Sequence, residues 1–151
     1  GGPAGAPGSP VGRREALGAA LAGAAALGAL PASAAKAKWD PRTADSSAFE
    51  GRYTDPDHPG GFREIKLLGK DQIKSVGPFE FRLAEVTGGG GSGEPASFTL
   101  PAFVGVIEGT EQITIDFRPK GGPPGLSGVV ECEGAKCGIR FLMDDNFWPK
   151  Q

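Results

Sequence analysis

Side chains that carry chemistry are scarce in this chain. It has one histidine, two cysteines, one methionine and one tyrosine among 151 residues. A lone histidine excludes a polyhistidine metal centre, and two thiols alone do not make a zinc site. No serine has a histidine partner at useful spacing, and no Gly-x-Ser-x-Gly elbow occurs. Gly88 to Gly93 lacks the Lys-Ser/Thr and the following helix that make a phosphate loop. Asp144 and Asp145 stand outside any EF-hand spacing. An excess of one charge is missing too, with 16 basic and 18 acidic residues for a net of −2. That balance excludes the basic stripe of a nucleic-acid binder and offers nothing to an anionic membrane. No cofactor and no metal are expected, and the chain reads as non-enzymatic.

One long apolar run is present, and it sits near the start. Arg13-Arg14-Glu15-Ala16-Leu17 opens an Ala/Leu/Gly stretch to Leu30, which closes on Pro31-Ala32-Ser33-Ala34. A basic start, an uncharged middle and a small-x-small end make a cleavable export signal, with the cut placed after Ala34 on the strength of Ala32 and Ala34. The apolar stretch falls short of the roughly 20 residues that span a bilayer. Arg13 and Arg14 with Leu17 resemble a twin-arginine signal. Residues 1–12 carry no acid or base and no initiating methionine. They suit the remnant of a transit peptide, so the whole of 1–34 reads as a two-part chloroplast address to the thylakoid lumen, with bacterial periplasm as the alternative. Cleavage removes Arg13, Arg14 and Glu15, which leaves 14 basic and 17 acidic residues in 35–151. No later apolar run is long enough to cross a bilayer, so the mature protein is expected not to span a membrane.

Residues 35–48 are polar and read as a flexible leader, with Trp39 as the one large apolar group that can dock on the body. Residues 49–151 show short alternating runs between Gly, Pro and Asp clusters, and no helical period. Ile113, Ile115 and Phe117 alternate with Gln112, Thr114 and Asp116, the pattern of a strand with one wet face. Phe62–Leu68 and Gln72–Val76 around Gly69-Lys70-Asp71 read as a hairpin, and Gly77-Pro78 as a chain break. Thr87–Pro95 reads as a flexible Gly/Ser loop. Pro101 marks Phe98–Ile107 as an edge or bulged strand. The fold class is therefore all-β: an antiparallel up-and-down meander of about eight strands, closing as a small barrel or a two-layer sandwich. The expected core is Phe49, Tyr53, Ile65, Leu67, Ile73, Phe79, Phe81, Leu83, Val104, Val106, Ile113, Ile115, Phe117, Val129, Ile139 and Phe141.

Cys132 and Cys137 flank a Gly-containing loop between two β-like runs, so they face each other across a hairpin and are expected as a disulfide in an exported protein. His58 stands between prolines and beside Asp55 and Asp57 in Asp55-Pro56-Asp57-His58-Pro59-Gly60. The string is what a tight exposed turn looks like, and it is also a carboxylate–imidazole cluster that can change charge as pH falls toward 6. Arg52, Arg63, Arg118 and Lys120 are candidates for a small basic patch toward acidic partners.

Three segments resemble, as a set, the small thylakoid lumen proteins of algae and plants. They are Phe49-Glu50-Gly51-Arg52-Tyr53-Thr54-Asp55-Pro56-Asp57-His58-Pro59-Gly60, Ile115-Asp116-Phe117-Arg118-Pro119-Lys120-Gly121-Gly122-Pro123, and Gly138 to Phe141 leading through Asp145-Asn146-Phe147-Trp148-Pro149-Lys150. The family-like ending is Asp-Gly-Asn-x-Trp, whereas Asp144-Asp145-Asn146 carries no glycine. The resemblance implies a lumenal location and a small β fold. It implies no established activity, so no catalytic residues carry over.

The function expected first is binding of a protein partner in the thylakoid lumen, as an accessory in the assembly or maintenance of photosynthetic complexes. The contact surfaces would be the Asp55–Gly60 turn and the Gly121–Pro124 loop, because rigid loops lose little entropy on binding. The alternative is a lipocalin-like carrier holding a pigment, quinone or lipid. It requires an open apolar interior rather than one filled by Phe79, Phe81, Phe117 and Phe141. An enzyme would require a concave site gathering His58 with at least two acids.

Overall fold

A computed structural model describes residues 38–151. The targeting expectations at Arg13, Arg14, Ala32 and Ala34 lie outside the described residues. Nine antiparallel strands form a single curled half-barrel sheet. They are β1 (Gly51–Tyr53), β2 (Phe62–Leu67), β3 (Ile73–Val76), β4 (Phe79–Gly89), β5 (Phe98–Ile107), β6 (Thr110–Ile115), β7 (Leu126–Glu133), β8 (Lys136–Phe141) and β9 (Phe147–Pro149). The order across the sheet is β1-β2-β4-β5-β6-β7-β8-β9, with β3 also paired to β4. The curl brings the two ends together. Tyr53 bridges to Lys150, the Thr54 amide donates to the Pro149 carbonyl at 3.2 Å, and the Gln151 amide to that of Arg52 at 2.7 Å. Among the described residues, no helix is long and apolar enough to cross a membrane.

The β2–β3 hairpin expected from Gly69-Lys70-Asp71 is not formed. Both strands pair with the same edge of β4, β2 at Ala84–Gly89 and β3 at Phe79–Arg82, so they run collinear. Residues 68–72 bulge out between them opposite Leu83. The Leu68 amide donates to the Leu83 carbonyl at 2.9 Å, and the Leu83 amide donates to the Gln72 carbonyl at 3.1 Å. The true hairpin is β3–β4, and Gly77-Pro78 is its two-residue turn. Gly77 sits at φ 59 before a proline held at negative φ, the sign pattern of a type II′ turn that matches strand twist. Pro101 lies in an interior strand rather than an edge. Its carbonyl accepts from Asp116 at 2.9 Å just where the β6 ladder stops at Ala102–Ile115, so the missing N–H falls where no strand asks for it.

The interior is packed by Phe49, Tyr53, Ile65, Val86, Phe98, Leu100, Val104, Ile113, Ile115, Phe117, Ile139, Phe141 and Trp148. β4 turns Ala84, Val86 and Gly88 inward. Leu83 lies across from Phe103 and, like it, is only partly buried, while Phe81 packs on Phe103 at 4.8 Å, apart from the core cluster. Phe79, expected in the core, is 61% exposed because it closes the β3–β4 turn, at a hairpin tip that extends past the core. The Tyr53 hydroxyl donates to the Phe49 carbonyl at 2.6 Å and pins the 3-10 turn Ser47–Phe49, and burial raises its pKa. Part of the segment read as a leader lies on the body. Trp39 packs against the core and donates to Glu111 at 2.8 Å, and buried Ser46 donates to the same carboxylate at 2.6 Å. Cys132 and Cys137 pair across β7–β8 in a disulfide.

Candidate functional site: a cleft among four loops

Antiparallel order sorts the connections between the two ends of the sheet. The links β3–β4, β5–β6 and β7–β8 emerge at one end, each a two-residue turn. The links β1–β2, β4–β5, β6–β7 and β8–β9 emerge at the other, and all are longer. The long-loop end carries the chemistry.

These four loops are stitched to one another by named polar contacts. The β4–β5 loop meets the β1–β2 turn through the Ser92 amide on the Pro59 carbonyl at 3.0 Å and through His58 Nδ1 on the Ser92 carbonyl at 2.8 Å. The backbones approach so closely that a Cβ on Gly61 would lie 2.5 Å from the Gly91 nitrogen. The β8–β9 turn joins through Asn146 Nδ2, which donates to Asp55 Oδ1 at 3.0 Å. The β6–β7 loop joins through Lys120 Nζ, 3.0 Å from Glu94 Oε1.

Beneath the loops lies an ion cluster closed to water. Arg63, Glu94, Asp55 and Lys120 have side chains 0, 0, 6 and 8% exposed. Arg63 Nη2 donates to Glu94 Oε1 at 2.7 Å and to Asp55 Oδ2 at 3.0 Å, and Nη1 donates to Glu94 Oε2 at 3.0 Å. The Gly91 amide adds a fourth bond to Glu94 at 2.9 Å. Two cations and two carboxylates make the cluster neutral overall, which is the condition for burying charge. Burial by itself would push the Glu94 carboxyl up. The bonds from Arg63, Lys120 and Gly91 outweigh it and bring the carboxyl down to about 2.

Above the cluster the loops enclose a cleft of about 320 Å³. Phe117, Phe141, Trp148, Leu126 and Pro123 give it apolar walls, and Asp57, His58, Asp144 and Asn146 give it polar ones. Phe141 and Phe117 stand edge-on to Trp148 at 4.8 and 6.0 Å. Of the residues singled out from sequence, Asp55, Asp57, His58 and Lys120 line this cleft, and Arg52 and Arg118 do not. Arg52 lies 4.0 Å over the Phe62 ring. Arg118 is paired with Asp116 at 2.8 Å, and its guanidinium holds that carboxyl below the usual range. The cleft does gather His58 with acids, as an enzyme would require. Yet, among the described residues, no hydroxyl or thiol side chain lines it, and Asp55 and Lys120 are committed to the ion cluster. Among the described residues, no group of three or more His, Cys, Asp or Glu is placed to hold a metal.

The sequence does not single out Glu94, Asn146 or Trp148 as site residues, and it offers Arg63 as part of a basic patch, whereas its side chain is buried against Asp55 and Glu94. Arg63 had a readable signal, since it shares strand phase with Ile65 and Leu67 and so points inward with them. Glu94 had none, being one acid in a Gly/Ser-rich loop. No protein-family model, curated protein or solved structure matches this chain.

Proposed function

We propose that this chain is a non-enzymatic β protein of the thylakoid lumen that binds a protein partner through its long-loop end, in the assembly or maintenance of photosynthetic complexes. The location rests on the export-type run from Arg13 to Ala34 and on the lumen-protein resemblance. The observation that carries the binding reading is convergence. The Asp55–Gly60, Pro119–Pro123 and Asp144–Trp148 strings, far apart in the chain, meet around one cleft. Cross-bonded loops of this kind present a surface already in its bound shape, which lowers the entropic cost of association. The packing of Phe117, Phe141 and Trp148 through the interior favours this reading over a carrier, which needs that space for its ligand.

The test is site-specific photo-crosslinking in thylakoids. A benzoyl-phenylalanine at exposed Pro123, on the cleft, is compared with one at exposed Lys70, in the bulge between β2 and β3. The expected result is a discrete protein adduct from position 123 and none from position 70. No adduct at 123, or the same adducts from both positions, overturns the reading.

A further inference from the structure

The charges around the cleft are not all equally occupied. Asp55 and Lys120 are tied inward to Arg63 and Glu94. Asp57 and Asp144 are exposed and make no ion pair among the described residues. Asp144 uses one oxygen to accept the Asn146 amide at 3.0 Å and keeps the other. His58 is turned away from these two carboxylates, with Nδ1 2.8 Å from the Ser92 carbonyl, which can only accept. The rim therefore offers acceptors with net negative charge.

The walls point the same way. Arg63 and Lys120 already lie over the Trp148 and Phe117 rings at 5.2 and 5.9 Å, so the walls offer apolar surface rather than free ring faces. Apolar surface beside carboxylates suits a guanidinium, which is weakly hydrated, on an alkyl stem that packs against apolar side chains. Trp148 is 1% exposed, lines the cleft, and its indole N–H has no acceptor among the described residues. A cleft of about 320 Å³ is at the small end for ligand sites, enough for one long side chain.

We propose that the cleft receives a basic residue, arginine in preference to lysine, from an extended segment of the partner protein. The guanidinium meets Asp57 and Asp144, and the stem lies against Phe117 and Phe141. This rests on the partner-binding reading above and names the chemistry of its ligand.

The test is an NMR titration of the ¹⁵N-labelled full chain with acetyl-Gly-Arg-Gly-amide, its citrulline counterpart and its glutamate counterpart. Citrulline keeps the shape and the carbonyl but not the charge. The Trp39→Phe variant identifies the remaining indole signal as that of Trp148. The expected result is saturable movement of the Trp148 indole and the Gly121 amide with the arginine peptide. Affinity should fall about tenfold for citrulline, with no binding of the glutamate peptide. A paired Asp57→Asn and Asp144→Asn variant, both sites being exposed, should keep the parent spectrum and lose about tenfold in affinity. Equal binding of citrulline and arginine, movement confined to other residues, or no saturation overturns the proposal. A crosslinked partner at position 123 without arginine preference sinks this inference alone. Arginine preference without a crosslinked partner sinks the partner reading alone.

Discussion

Replacing Glu94 by glutamine isolates the ion cluster as a source of stability. The carboxylate accepts from Arg63 twice, from Lys120 and from the Gly91 amide, with its own side chain 0% exposed. Glutamine keeps the shape but removes the charge and turns an amide NH₂ toward donors. One uncompensated positive charge then remains in a site that water does not reach. Breaking a buried pair on one side costs about 3–5 kcal/mol. An independent route gives a similar size: lowering the carboxyl from its ordinary 4.5 to about 2 corresponds to about 3 kcal/mol of preference for the charged form. Small domains hold only about 5–15 kcal/mol in all, so the variant should be severely weakened. In urea titration followed by tryptophan fluorescence, the midpoint should fall by about 1–3 M at unchanged slope. The pH dependence has a defined sign. The folded pKa lies below the unfolded one, so the contribution is full above about 4.5 and is lost as pH falls through about 2. Parent and variant should thus converge in acid. A loss under about 1 kcal/mol at neutral pH, or a gap that persists unchanged to pH 2, would refute the reasoning.

Three further outcomes follow from local geometry. Gly61→Ala places a Cβ 2.5 Å from the Gly91 backbone nitrogen, which cannot swing aside as a side chain would, and should cost about 1–3 kcal/mol in thermal melting while shifting the His58 and Ser92 signals together. Glu108 sits at φ 50 before Gly109 at φ 82, a two-residue turn with both residues left-handed, so Glu108→Asn should stabilise by about 0.5–1 kcal/mol, read as a rise in Tm. Pairing Cys132→Ser with Cys137→Ser should cost about 2 kcal/mol and speed amide exchange in the β7–β8 tip, leaving the cleft signals unmoved.

Alternation made the fold class legible, because Ile113, Ile115 and Phe117 repeat at period two on the buried face, although the opposite face is less wet than the pattern suggests, with Gln112 buried and Thr114 half-buried. The same rule misplaced Phe79: alternation reports a face, and cannot say that the tip of a hairpin outruns the core beneath it. Gly69-Lys70-Asp71 is equally good chemistry for a hairpin and for a bulge, and only the partner strand decides. Proline punctuates without specifying, so Gly77-Pro78 reads as an interruption although it is one of three two-residue turns. Asp55, Asp57, His58 and Lys120 were reachable because unusual strings drew notice to them. Their assembly was not, since it depends on Glu94 folding inward from a loop whose composition suggests solvent. Asp145 sits at φ 62, the left-handed backbone that glycine adopts freely and that Asp tolerates among the few other residues, and nothing in Asp144-Asp145-Asn146 announces it.

The collinear β2–β3 row has an implication for how this chain tolerates change. Leu67 pairs with Ala84 and Ile73 with Arg82, so a single residue would suffice opposite Leu83. Residues 68–72 occupy that place instead, with both ends clasped by Leu83 and the Leu68 carbonyl capped by the buried Arg82 guanidinium. Chain length is therefore uncoupled from register at this point. Residues added at Lys70 displace no strand and turn no side chain to the wrong face, which makes the bulge a natural insertion point for a label or an entire second module, set away from the cleft.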